Sequence, residues 1–305
     1  MNKAKKIKKG DLIGVISPAG PTVSEELQRG ISVLKKMGFR YVLGKNVLSQ
    51  NGFLAGSDSE RAKDFMSMVK NPEVTAILCT RGGYGVNRIM KRLDFDLIKK
   101  VRKPIIGSSD ITILLNYLNR KCSLVSFHGP MVAGSFGRMP MTKSRKTFCQ
   151  ALMGNMEMYS YSKRSAWTIN SGKGEGRLAG GCLSLLIRSL GTPFEIQTRN
   201  RILVIEDVNE RPYKIDGMLW QLKEAGKFKA IRGIVFGEMI NCHPNKSELY
   251  TLKETISDFF KNDSFPIMMN CPIGHGKEMW TLPLGVQAIL DSEAKSLTIE
   301  ENGTI

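Results

Sequence analysis

The chain has 305 residues, of which 42% are hydrophobic, and carries a formal net charge of +17. That length admits one large or two ordinary domains, and that hydrophobic content supports packed cores and excludes a disordered chain. The charge is spread along the chain apart from Lys3-Ala4-Lys5-Lys6-Ile7-Lys8-Lys9, with no zinc-finger spacing, RNA-binding aromatic signature or basic-region heptad; it reads mainly as a solvated surface, with attraction for acidic ligands a minor addition and neither nucleic acid nor membrane expected as partner.

In chain order, Asp11 to Ser17 reads as a first strand, followed by the loop Pro18-Ala19-Gly20-Pro21. Glu25 to Met37 is an amphipathic helix stopped by Gly38, and Tyr41 to Leu43 a short second strand. Asp58 to Lys70 is helical, with Asn71-Pro72 as its stop. Val74 to Cys79 is an apolar strand running into Thr80-Arg81-Gly82-Gly83-Tyr84-Gly85, and Val86 to Arg92 is helical. Pro104 to Ile106 is a strand, and Leu124 to Phe127 another, leading into His128-Gly129-Pro130-Met131. Strands and helices alternating at this spacing predict a mostly parallel α/β sheet, whose sites form beyond the carboxyl ends of the strands.

From Arg138 to Lys173 the pattern weakens, with one helix around Lys146 to Met153. The expected organisation is an N-terminal domain over 1–140, an interdomain linker over 141–175 and a C-terminal domain over 176–305. In the last, Cys182 to Leu190 is a helix, Ile202 to Ile205 a strand ending in Glu206-Asp207, and Ile215 to Ala225 a helix. Ile231 to Phe236 is a strand, Leu249 to Phe260 a helix, and Ile267 to Met269 a strand running into Gly274-His275-Gly276. Gln287 to Asp291 and Ser296 to Glu300 form a final hairpin. Gly172-Lys173-Gly174-Glu175-Gly176 lacks a strand before it and reads as a flexible turn.

The six cysteines form no Cys-x-x-Cys pair, which suggests reduced thiols in a reducing compartment. Three histidines give no support to a zinc site. The basic N-terminal stretch is followed by an apolar run broken by Asp11 and Pro18, so no secretory signal is apparent and a soluble cytoplasmic protein is expected.

The stretch Gly107-Ser108-Ser109-Asp110-Ile111-Thr112 between a buried strand and an apolar helical face has two readings. Serine and aspartate are preferred helix caps. A serine on a sharp strand-to-helix turn is also the nucleophile elbow of serine hydrolases, standing beside the amides of a helix N-terminus. A serine nucleophile needs a base, an orienter and oxyanion donors. His275, between glycines after a strand, is the best base candidate; His128 reads as structural and His243 as exposed. Glu206 ends an apolar strand and is a candidate orienter, with Asp207 and Glu210 competing. Arg81-Gly82-Gly83-Tyr84-Gly85 offers backbone N–H groups to an anion.

Taken together, these pieces resemble the LD-carboxypeptidases of the serine peptidase family that also contains microcin C immunity proteins. The matching set adds Gly10-Asp11 through Gly20, His128-Gly129-Pro130-Met131, Gly180-Gly181 with Gly191-Thr192-Pro193, Glu206-Asp207-Val208-Asn209-Glu210 with Pro212-Tyr213, and Leu282-Pro283-Leu284-Gly285. The pieces span nearly the whole chain in the family's order. The resemblance implies a triad of Ser109, Glu206 and His275, with an oxyanion hole from the backbone N–H groups of Gly83 and Asp110. It implies an N-terminal parallel-sheet domain resembling class I glutamine amidotransferases and a smaller C-terminal α/β domain carrying the triad acid and histidine. The implied site lies between them, often in a homodimer, and needs no metal or organic cofactor. The implied substrate is a small peptide, a murein tetrapeptide losing D-alanine, or a microcin-like peptidyl-nucleotide; an anion-binding scaffold is the non-enzymatic alternative. Two positions depart from the family pattern: Ser108 where an aromatic residue is usual, and Cys182 where Gly-Gly is usually followed by Asn.

Overall fold

The computed structural model describes residues 1–138, 142–154, 159–162 (backbone alone), 166–246 and 248–305. The chain divides into two compact units, one of Met1–Asn155, Lys277–Gly285 and Asn302–Ile305, the other of Met156–Gly276 and Val286–Glu301. Its first elements are β1 (Leu12–Ile16), α1 (Ser24–Lys36), β2 (Arg40–Leu43), α2 (Asp58–Lys70), β3 (Val74–Cys79), α3 (Val86–Ile89), α4 (Phe95–Val101), β4 (Ile105–Gly107), α5 (Thr112–Lys121), β5 (Ser126–His128) and α6 (Thr142–Met153). Then follow β6 (Tyr159–Ser162), β7 (Trp167–Asn170), β8 (Lys173–Cys182), α7 (Leu183–Ser189), β9 (Arg201–Val208), α8 (Pro212–Glu224), β10 (Gly233–Ile240), α9 (Leu252–Phe259) and β11 (Ile267–Gly274). The chain re-enters the first unit with β12 (Leu282–Leu284) and the second with β13 (Gln287–Asp291) and β14 (Ser296–Ile299).

The first unit is built on a six-stranded sheet of order β12-β5-β4-β3-β1-β2. Its five sequential strands are parallel, and β12 is antiparallel to β5. Because helices cover a parallel sheet on both faces, its strands read as continuous apolar runs: Ile77, Leu78, Ile105, Ile106 and Phe127 are each at most 1% exposed. Helix α1 turns Leu27, Ile31 and Leu34 inward at the three- and four-residue spacing of an amphipathic helix. A capping box starts α2: Ser57 Oγ accepts from the Glu60 N–H, and Glu60 accepts from the Ser57 N–H.

The second unit holds an eight-stranded mixed sheet of order β6-β14-β13-β8-β9-β10-β11-β7, parallel from β8 to β11. Its core gathers Leu203, Ile205, Leu219, Phe236, Ile256 and Phe260. Among the described residues no helix is long and apolar enough to cross a membrane.

Three expectations about the chain's organisation change. Residues 172–176 are not a turn: from Lys173 onward they belong to the ten-residue β8. Gly174 and Gly176 occupy the inward positions, because a Cβ on either would collide with the Arg232 or Asn200 carbonyl, while Lys173 and Glu175 point to solvent. Glycine on the buried face erases the alternation by which a strand is recognised. The expected linker over 141–175 contains α6 in the first unit and β6 and β7 in the second; its residues 141, 155–158 and 163–165 lie outside the described ones. Nor does the C-terminal unit run unbroken from 176 to 305, since Leu282-Pro283-Leu284 pairs antiparallel with β5 of the first unit. Pro283 is tolerated there because β12 is an edge strand.

Candidate active site

In the first unit, β4 ends at Gly107, Ser108 stays extended at φ −154°, and Ser109 turns left-handed at φ +57° before the helical turn Ser109–Ile111 and α5. A non-glycine residue in that region costs about 1–2 kcal/mol of strain, which the surroundings must hold. The Ile111 N–H donates to the Ser108 carbonyl at 3.1 Å, and the buried Asp110 carboxylate accepts the Val86 N–H at 2.8 Å. Asp110 thereby ties the elbow to α3, a contact that a helix cap alone does not explain. The loop after β3 lies against the serine: a Cβ added to Gly82 would stand 2.6 Å from Ser109 Cβ and 2.7 Å from its Oγ, so only glycine permits the approach. Gly83 follows at φ +113° and packs on Gly20, whose N–H donates to the Gly82 carbonyl at 3.1 Å.

Arg61 holds these loops and was not singled out by the sequence pattern. Its fully buried guanidinium donates to the Pro18 carbonyl at 2.6 Å and the Gly85 carbonyl at 2.8 Å, and pairs with Asp58, which also pairs with Arg88. The available signal is a cation on the inward stripe of α2, in line with Phe65 and Met68. Arg61→Leu is expected to destabilise the protein by about 3 kcal/mol, because two buried carbonyls lose their donor and Asp58 keeps only Arg88. Urea unfolding reads this, with Arg61→Lys expected to recover part of the loss.

In the second unit, Glu206 lies within β9 at 0% exposure, and its Oε2 stands 2.7 Å from His275 Nδ1. His275 follows the last residue of β11, with its side chain 26% exposed. Gly274, at φ +103°, makes the pairing possible, since a Cβ there would collide with the Glu206 carboxylate. The three competing acids separate. Asp207 points to the opposite face of β9, where it accepts the Ser184 N–H at 2.7 Å and the Val208 N–H at 2.8 Å. Burial pushes its carboxyl up, and those two donors pull it back. Glu210 pairs with Lys214 at 3.7 Å. Of the other histidines, His128 is fully buried at the end of β5 and His243 is exposed. Among the described residues no group of three or more His, Cys, Asp or Glu side chains is placed to hold a metal ion.

A serine on a left-handed turn between a parallel strand and a helix has the backbone geometry of a nucleophile elbow. The LD-carboxypeptidase N-terminal domain model matches residues 13–129, and the LD-carboxypeptidase C-terminal domain model residues 175–290. The chain belongs to this family of serine peptidases, the family suggested by its motifs. It is 39% identical to the "Probable murein peptide carboxypeptidase" of Bacillus subtilis over 98% of this chain and 94% of that one. Among solved structures it resembles wild-type microcin C7 self-immunity protein MccF, at 27% identity and TM-score 0.94 over 100% of both chains. The muramoyltetrapeptide carboxypeptidase of Oxalobacter formigenes superposes with TM-score 0.85 at 30% identity, over 95% of this chain and 98% of that one.

The two departures from the family pattern both sit beside these groups. Ser108 is 4% exposed, next to the elbow. Cys182 ends β8 directly opposite Glu206 in the strand register, with its sulfur 3.3 Å from Ser184 Oγ. Burial, reinforced by the negative charges of Glu206 and Asp207, pushes its thiol well above the ordinary cysteine range. The raised value keeps the protonated, unreactive form through neutral and mildly alkaline pH. Iodoacetamide at pH 8 is therefore expected to leave Cys182 unmodified in the native protein and to alkylate it after denaturation, as peptide mapping will show.

Proposed function

We propose that this protein is a serine carboxypeptidase that releases a terminal D-amino acid from a murein peptide, with Ser109 as nucleophile, His275 as base and Glu206 as its orienter. The observation that carries the reading is the buried Glu206 carboxylate held 2.7 Å from His275 Nδ1, in a chain whose Ser109 occupies a strained elbow. With Nδ1 engaged by Glu206, the imidazole presents Nε2 as the acceptor. Ser109 Oγ attacks the carbonyl carbon of the L,D amide while His275 takes its proton. The backbone N–H groups of Gly83 and Asp110 receive the developing oxyanion. The proton then passes to the departing amine, D-alanine leaves, and water releases the acyl group by the same steps in reverse. We place the reaction in the cytoplasm and assign it to a homodimer; light scattering of the purified protein tests the latter.

Resemblance to MccF supports a second reading, in which the amide cleaved belongs to a peptidyl- or aminoacyl-nucleotide. Incubation with murein tri-, tetra- and pentapeptides and with an aminoacyl sulfamoyl nucleoside, followed by mass spectrometry, separates the two. Tetrapeptide converted to tripeptide plus D-alanine supports the first. Cleavage of the nucleotide alone supports the second, and no turnover of either leaves an anion-binding scaffold.

A further inference from the structure

The first unit carries a concavity at the end of its sheet away from Ser109. It opens at the amino ends of the parallel strands: Asp11 stands just before β1, Val74 begins β3 and Lys103 precedes β4. The elbow and the Gly82 loop stand at the carboxyl ends of β4 and β3. The cleft encloses about 1160 Å³. Lys5, Lys6, Lys8, Lys70, Lys100 and Arg102 line it and are all exposed. Among the described residues none of these six side chains is paired with an Asp or Glu carboxylate; the sole acidic side chain of the lining, Asp11, accepts the Lys8 backbone N–H at 3.0 Å. Beneath the cations the lining rests on the buried core residues Ile7, Val69 and Val74, and the apolar surface it presents is at the rim, where Val101 is 37% and Ile305 69% exposed.

We propose that this cleft docks the protein on a membrane surface by taking the anionic head group of a phospholipid. Two features select that ligand. Unpaired cations around one concavity concentrate positive potential and attract an anionic leaflet; each is worth roughly a fivefold change in partitioning near such a surface. A soluble polyanion would use the cations but has no use for the exposed apolar rim of Val101 and Ile305, which, with the lysine stems, suits the first carbons of acyl chains. Nucleic acid is disfavoured because the lining holds no aromatic side chain for a base to stack on. The clustering also gives part of the +17 charge a location. A protein docked this way lies on the bilayer without spanning it, and keeps the Ser109 edge of the sheet turned away from the lipid.

The test is co-sedimentation of the full chain with vesicles of phosphatidylglycerol and phosphatidylcholine, against vesicles of phosphatidylcholine alone. The expected result is binding to the anionic vesicles only, falling steeply between about 50 and 200 mM salt as screening grows. The variant K5E/K100E/R102E is expected to lose about a hundredfold in partitioning while keeping its circular dichroism spectrum and its peptide turnover. Val101→Ser should weaken binding without changing its salt dependence. The proposal is overturned if the triple variant binds as the parent does, since attraction would then be a property of the net charge. It is equally overturned if neither vesicle is bound, if millimolar inorganic phosphate displaces the vesicles, or if a single-stranded oligonucleotide binds more tightly than they do.

Discussion

Ser109→Ala is expected to reduce turnover by about 10⁴- to 10⁶-fold, the loss typical of a removed nucleophile, with the thermal midpoint nearly unchanged. Both expectations come from the elbow. The backbone at Ser109 is left-handed whichever small residue occupies it, so alanine inherits the strain without adding to it. Gly82 packs against the serine Cβ, which alanine keeps. What disappears is the Oγ. Ser108→Ala is the control: Ser108 is buried next door, with a hydroxyl that has no part in the proposed chemistry, and its turnover should stay within about tenfold of the parent. The measurement is kcat and KM for each variant on the tetrapeptide. Inactive Ser108→Ala beside active Ser109→Ala would move the nucleophile by one residue.

The second large effect is expected at Glu206. Glutamine there keeps the shape of the side chain but removes the charge that stabilises a protonated His275, and it can present an N–H where the ring needs an acceptor. The corresponding acid-to-amide change in a well-studied triad costs about 10⁴ in kcat, and a loss of that order is expected here. The position is fully buried and 2.7 Å from Nδ1, so water cannot substitute for the missing carboxylate. Asp207→Asn should cost far less turnover, because its side chain serves the Ser184 and Val208 amides on the other face of β9. Glu210→Gln removes a solvent-facing pair with Lys214 that is worth at most about 1 kcal/mol, and should be close to parental. Turnover of the three variants under one condition ranks them. Should Glu210→Gln prove as damaging as Glu206→Gln is expected to be, with Glu206→Gln still active, the orienter is Glu210.

Much of this was legible in the chain because it is local. The strand, glycine, Ser-Ser-Asp and apolar helix around residue 109 carry their own instructions: β-branched residues for a buried strand, a sharp turn, then helical periodicity. The Gly82-Gly83 loop and the Gly274-His275-Gly276 turn are legible for the same reason. Only tertiary structure decided the rest. Glu206 and Asp207 are adjacent, and alternation along a strand says that they face opposite ways without saying which faces the histidine. That is set by the parallel register of β9 with β10 and of β10 with β11, which brings residue 274 beside the Glu206 carboxylate from 68 positions away. Arg61 reads as one more helix cation until α2 lies beside the loops at Pro18 and Gly85. The β8 strand is hidden by glycines whose reason is the Arg232 and Asn200 carbonyls, and the return of β12 to the first unit is a pairing with His128 that no local pattern announces. Local backbone preference and side-chain type are properties of a short stretch, whereas register, burial and the approach of one loop to another exist only once distant segments share one packed interior.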